Sequence, residues 1–354
     1  MTNGVNNIFS GQICKMLKEN VGEMVKEDEI KSFGIFSNGL NGDLENSSNN
    51  SVLQKMVSET FQSCIFEYEN DAPIIDNFSC QEKPLTAALI DGKIEDFQQG
   101  DKGDCWLLST VKAFSRTPKG AEILKNAISE DSCGNVTVTL KGAQDKNGNP
   151  VKINMSADEL HSSRYNLSFG DDDVLAIERA VDKYRRQQLL EILNDSAISN
   201  EDKEKYLNNL DDGANPVFAM QLLTGYDTIT EDPFIKTFED GSIEAVDKKD
   251  MRKQIEKAKL SFGDVKSNPT TLCFLSYLNN ENPVDSFKLG KHEIFNNHAY
   301  TVADVKGDYI YLKNPHDTSK TIKLNFRDLF KHANKVDRQN NLMFSVELEQ
   351  VKLE

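Results

Sequence analysis

Gln99-Gly100-Asp101-Lys102-Gly103-Asp104-Cys105-Trp106-Leu107-Leu108-Ser109 sets one cysteine between a glycine-rich turn and an apolar run at helical spacing. Gly100 and Gly103 free the backbone to turn tightly and to approach a ligand. Asp104 is the residue type that caps a helix start, ahead of Cys105, Trp106, Leu107, Leu108 and Val111. Cys105 therefore falls in the first helical turn, where unpaired N–H groups and the helix dipole favour an anion. The stretch predicts a thiol that ionises more readily than a free one, and hence a nucleophile.

A thiolate nucleophile needs a base for its proton and donors for the charge that develops on a substrate oxygen. Gln99 carries a carboxamide that suits one donor, and the Cys105 backbone N–H suits the other. Of the five histidines, His298 has the informative setting, in Asn296-Asn297-His298-Ala299-Tyr300-Thr301-Val302-Ala303-Asp304-Val305, a polar turn entering a strand. Gly307-Asp308 makes a turn, and Tyr309-Ile310-Tyr311-Leu312-Lys313-Asn314-Pro315 reads as the returning strand. A hairpin of that length carries Asn314 back beside His298, where its amide can orient the imidazole.

These three blocks resemble the active-site blocks of the calpain-type branch of the papain-like cysteine proteases, in the same Cys, His, Asn order, over roughly residues 94–344. The resemblance implies an α+β papain-like fold with a helical subdomain bearing the cysteine and an antiparallel β subdomain bearing the histidine and asparagine. It implies Cys105 as nucleophile, His298 as base, Asn314 as its orienter and Gln99 in the oxyanion hole of an endopeptidase. The family has a tryptophan after its Asn-Pro pair that shields the His–Asn bond from water; here that place is His316. Animal members assemble their cleft on binding calcium, but their metal loops have no residue-by-residue match here. Calcium is thus a possible cofactor with no located site, and the chemistry itself requires none. Two rival functions share the residues: an acyltransferase or deamidase on the same fold, and a non-catalytic interaction protein that keeps only the fold.

The formal net charge of −16 argues against a phosphate-backbone binder, which needs a basic face; an acidic surface suits solubility and basic substrates, while protein or peptide substrates are what the resemblance implies. Six cysteines without a CxxC pair or dense framework argue against structural zinc and for a reducing compartment. No apolar run is long enough to span a membrane, and Met1 to Met24 lacks a signal-peptide core, so the expected location is cytoplasmic or exported without a cleavable signal.

Three regions follow in chain order. Residues 1–88 read as a helical and linker extension, suited to autoinhibition, docking or packing; Gly39 to Asn46 lacks the spacing of a calcium loop. Residues 89–228 form the helical catalytic subdomain. There, Val136–Leu140 and Val151–Met155 read as a hairpin around a turn at Asp145–Asn149, and Asp171-Asp172-Asp173 reads as acidic charge at a helix start. Asn194 to Asp212 reads as a surface insertion. Residues 229–354 form the β-rich subdomain, with a helix over Asp247–Leu260, strands at Thr270–Tyr277, Thr321–Phe326 and Leu342–Leu348, and a loop over Pro283–Phe295 at the cleft mouth. Cys273 reads as core. His292, Glu293 and His298 lack the spacing of a zinc pair, and His161 and His332 read as solvent-facing.

Overall fold

Apolar residues at helical and alternating spacings build two hydrophobic cores, and the site lies where they meet. The computed structural model describes residues 89–160, 167–194, 198–199, 203, 213–238, 242–277 and 285–353, all within one compact unit. The expectations for residues 1–88, for His161 and for most of Asn194–Asp212 lie outside the described residues.

Helix α1, Cys105–Ser115, is apolar nearly all round and accordingly buried, from Trp106 through Phe114. Helix α2, Pro118–Ala127, begins on a Thr117 cap whose hydroxyl accepts the Gly120 N–H, with proline at its first position. A three-stranded antiparallel sheet follows, made of β1 (Ile128–Glu130), β2 (Val136–Gln144) and β3 (Pro150–Met155). Short α3 (Ala157–Leu160) leads to the long α4 (Asp172–Asn194), and α5 spans Pro216–Thr224. Trp106, Leu108, Val111, Phe114, Val138, Ile177 and Met220 are among the residues of this first core.

The second core underlies a six-stranded antiparallel sheet. Its members are β4 (Thr228–Glu231), β7 (Thr270–Ser276), β10 (His298–Lys306), β11 (Tyr309–Asn314), β12 (Asp317–Asn325) and β13 (Phe344–Val351), in spatial order β12-β11-β10-β7-β13-β4. The helices α6 (Met251–Ser261) and α7 (Phe326–Ala333) and the rings of Phe234, Phe262 and Phe326 fill it. Two small ribbons complete the list: β5 (Lys236–Thr237) with β6 (Ile243–Glu244), and β8 (Ser286–Leu289) with β9 (His292–Phe295). Val351 and Leu353, at the far end of the chain, return to the first core. The described fold is thus mixed, each core combining helices with an antiparallel sheet.

Three turns share one construction. In Asp131–Asn135, Asp145–Asn149 and Asp337–Asn341 the aspartate Oδ1 accepts the N–H four residues on, and the asparagine amide donates to the same carboxylate. The fourth residue is left-handed in each: Gly134, Gly148 and Asn340, with φ 78°, 80° and 67°. Asp145–Asn149 is therefore a turn, as its residues indicate.

Three expectations need correction. The segment before His298 is a hairpin over its described part, Ser286–Phe295, because Gly290 turns it and Leu289 and Ile294 are buried. His332 is 1% exposed and sits inside, stacked on Phe287 at 3.9 Å with Phe344 at 4.3 Å. The period of α7, with Phe326, Leu329, Phe330 and Ala333 buried, turns that histidine inward. Finally, Phe326 opens a helix rather than ending a strand, because Asn325 caps it by accepting the Arg327 N–H.

Candidate functional site

Helix α1 lies along strand β10 in the same sense. Near its start, the Ala299 amide faces the Cys105 sulfur; midway, the Thr301 hydroxyl donates to the Ser109 carbonyl at 2.6 Å; at its end, the Arg116 guanidinium donates to the Ala303 carbonyl at 3.0 Å. Eleven helical residues rise about 16 Å, and four strand residues about 13 Å, so these contacts keep step. The matched lengths bring the helix start carrying Cys105 to the strand start carrying His298.

His298 is 7% exposed, and its Nε2 lies 2.9 Å from Asn314 Oδ1. Strand pairing explains that approach: β10 and β11 are antiparallel neighbours, with Thr301 opposite Lys313. The Asn314 oxygen can only accept, so Nε2 carries the hydrogen and the neutral ring keeps its lone pair on Nδ1. The same oxygen also accepts the His316 backbone N–H at 3.0 Å. Around the imidazole stand Tyr300 at 4.9 Å, Phe295 at 5.8 Å and the His316 ring at 4.7 Å.

Cys105 and His298 line a common cavity of about 310 Å³ with Gln99, Gly100, Asp101, Lys102, Gly103, Trp106, Gly213, Ala214, Asn297 and His316. Burial pushes the Cys105 thiol up to about 11, against the Ala299 amide, which pulls it down. The acidified thiol expected from its helix position is thereby corrected: desolvation of the thiolate outweighs the helix terminus. Burial also holds His298 down to about 4, despite its bond to Asn314, with His316 adding to the depression. Each group alone is neutral at pH 7.

Asp104 occupies the cap position, but its side chain caps nothing. It is 3% exposed, and it turns inward to Glu178 on α4, itself 2% exposed. Burial first, then the neighbouring Glu178 carboxyl, push Asp104 up to about 10. Glu178 is held in turn by the Ser168 amide at 2.8 Å. A neutral Asp104 leaves no negative charge directly behind the sulfur at pH 7.

Gln99 lines the cavity with its backbone N–H on the Pro315 carbonyl at 2.9 Å, so it is tied to the strand segment that follows Asn314. Its carboxamide Nε2 donates to the Lys102 carbonyl at 2.6 Å, and its buried Oε1 has no partner. One Nε2 hydrogen remains for a ligand. Lys102 itself pairs with Asp182 on α4, which Arg186 also grips at 2.7 Å. Burial opposes the charge of Asp182, but these two cations outweigh it and hold its carboxyl below the usual range. No local sequence pattern announces this anchor, because a lysine and an aspartate far apart in the chain carry no shared motif.

No group of three or more His, Cys, Asp or Glu side chains able to hold a metal ion occurs among the described residues. Asp101 lines the cavity, and three acidic residues outside its lining have protein partners. Asp171 caps α4 through the Val174 N–H at 2.9 Å, Asp173 accepts the Gly92 N–H at 3.0 Å, and Asp96 pairs with Lys112 at 2.9 Å. Cys273, a free thiol like Cys105, is buried and donates to Glu349 at 3.2 Å. No helix among the described residues is long and apolar enough to cross a membrane.

Compared with known proteins, the chain matches no family model and no curated sequence.

Proposed function

We propose that the protein is a cysteine endopeptidase of papain-like fold and calpain type, hydrolysing peptide bonds through Cys105, His298 and Asn314 with Gln99 as an oxyanion donor. The observation that carries the reading is the 2.9 Å His298–Asn314 hydrogen bond opening on the same cavity as a free thiol at a helix start. The bond sets the tautomer that leaves Nδ1 able to accept a proton.

Neither group is charged alone, so ionisation is a transfer within the cavity: the Cys105 proton passes to His298 as the sulfur attacks the carbonyl carbon. The Ala299 amide and the start of α1 steady the sulfur, and Asn314 steadies the imidazolium. The oxyanion that forms is met by the Cys105 N–H and the Gln99 amide. His298 then gives its proton to the leaving amine, and water, deprotonated by the same imidazole, releases the acyl group from the sulfur. Asp104, pushed up to about 10 by burial, is neutral at pH 7 and spares the attacking sulfur a neighbouring negative charge.

Peptidase profiling of wild type and Cys105→Ala, each with calcium and with chelator, tests the reading. Cleavage that vanishes in the variant supports it; equal cleavage by the variant overturns it. A one-dalton gain on glutamine-containing peptides without cleavage would select the deamidase instead. The extension at residues 1–88 enters as a candidate inhibitory or docking segment, and its removal is expected to raise the rate if it covers the cleft.

A further inference from the structure

We propose that Lys102 and Asp182 are positioning residues for this hydrolysis: the ion pair they form holds the Lys102 backbone carbonyl against the Gln99 carboxamide and so aims the remaining carboxamide N–H at the substrate oxygen. The inference rests on the endopeptidase reading above and adds two side chains that reading does not use.

Gln99 has to present an N–H to a charge that exists only in the transition state, and a long side chain needs something to hold it there. Its backbone is fixed, with the N–H on the Pro315 carbonyl at 2.9 Å and the neighbouring Gln98 paired with Phe169. Its carboxamide has one hydrogen bond among the described residues, from Nε2 to the Lys102 carbonyl at 2.6 Å. Because the amide is planar, engaging one Nε2 hydrogen fixes the direction of the other. The buried Oε1, without a partner, adds no second hold.

The carbonyl that receives this bond stands on a loop with little support of its own. No helix or strand runs through residues 100–103, and Gly100 and Gly103 on either side of Asp101 and Lys102 leave the backbone free to turn. The Lys102 side chain supplies the anchor. Its ammonium pairs with one oxygen of Asp182 on α4, the two side chains 14% and 9% exposed, and Arg186 donates to the other oxygen at 2.7 Å. Asp182 is thus held from its own helix, and a pair so little exposed is weakly screened by salt. A rigid helix thereby fixes the loop, and the loop fixes Gln99. Lys102 lines the cavity as well, but its charge is matched by Asp182.

The test is kcat, KM and the rate of Cys105 alkylation by iodoacetamide for wild type, Lys102→Met, Asp182→Asn, Gln99→Ala and the Gln99→Ala/Lys102→Met double variant, with thermal unfolding of each to establish folding. Lys102→Met keeps the backbone carbonyl and leaves Asp182 its arginine. Its kcat is expected about tenfold lower, with KM within about twofold and alkylation as in wild type, the split of lost transition-state orientation. Asp182→Asn removes the charge that holds the lysine and is expected to lower kcat likewise. A lysine acting directly on the oxyanion predicts the reverse, since release from Asp182 frees its charge for the substrate; a raised or unchanged kcat in Asp182→Asn overturns the inference. With Gln99 gone the anchor has nothing to aim, so adding Lys102→Met to Gln99→Ala is expected to change kcat by less than about twofold. The full tenfold loss in that background overturns the inference too, while wild-type turnover leaves the hydrolase reading standing. A wild-type chain with no turnover, and with Cys105 refractory to iodoacetamide, overturns the hydrolase reading and this inference together.

Discussion

At the scale of single residues, the proposed hydrolase separates groups that react from groups that aim them. Gln99→Ala removes one proposed oxyanion donor, and kcat is expected to fall by about 10²–10³, the usual cost of one such donor. Cys105 lies outside that change, so its alkylation by iodoacetamide should proceed as in wild type, measured by intact mass. Asn314→Ala is expected to cost less than His298→Ala, since the imidazole keeps its proton-accepting nitrogen when its orienter is lost; equal losses in steady-state assays would give Asn314 a larger role. His332 poses a different problem, having no nitrogen partner and burial that holds it to about 3. Its folded-state value lies below its unfolded value, so the neutral form costs nothing above about pH 6.5. As the pH drops from there toward 3, only the unfolded chain takes up the proton. Stability should therefore decline by at most about 1.4 kcal/mol per pH unit through that window from this residue. His332→Phe keeps the stack on Phe287 and Phe344 and should flatten this part of a denaturant-monitored pH profile; an unchanged profile would show that other groups set it.

At the scale of elements, close backbone approach rather than side-chain filling joins the small sheet to α5. A Cβ built on Gly142 of β2 would stand 1.8 Å from the Gln221 carbonyl oxygen of α5. Backbone must move to admit it, and the strand register shifts in that same stretch, between Leu140 and Gln144. Gly142→Ala is expected to destabilise by on the order of 2 kcal/mol, the usual cost of overpacking, checked by urea unfolding. Much of the element order was legible in local pattern. The apolar run of α1, the Val136–Leu140 alternation, the Asp145–Asn149 turn and the β10–β11 hairpin all carry a periodicity or a turn residue of their own. Helix α7 did not stand out, because its eight residues mix Arg327, Asp328 and Lys331 with the buried phenylalanines. The β8–β9 ribbon escaped too: its turn, Gly290-Lys291, separates short strands whose polar residues mask their alternation.

At the scale of the whole molecule, the cavity depends on how a helix from one core is held against a strand from the other. The Thr301–Ser109 and Arg116–Ala303 hydrogen bonds are the polar rungs of that contact, and Thr301 is 1% exposed. A second seam runs beside them. Phe97 exchanges hydrogen bonds with Thr318, its N–H donating to the threonine hydroxyl at 2.8 Å, and Gln99 bonds Pro315. Combining Thr301→Val with Arg116→Ala removes both rungs at about 1 kcal/mol each. The expected outcome is a folded protein whose kcat falls while KM and Cys105 alkylation stay near wild type, because Cys105 and His298 lose their common register. Unchanged kcat would mean that apolar packing alone holds the two halves.

Sequence alone determined which side chains can do chemistry and on which elements they sit, because a cysteine after a glycine turn, a histidine opening a strand and an asparagine closing the next are local patterns. Tertiary structure alone decided their state. The thiol is pushed up rather than acidified, Asp104 turns inward to Glu178 rather than capping, Lys102 reaches Asp182, and His316 lies on His298. The physical reason is common to all four: desolvation and long-range contact depend on what packs around a group, and residues distant in the chain supply those neighbours.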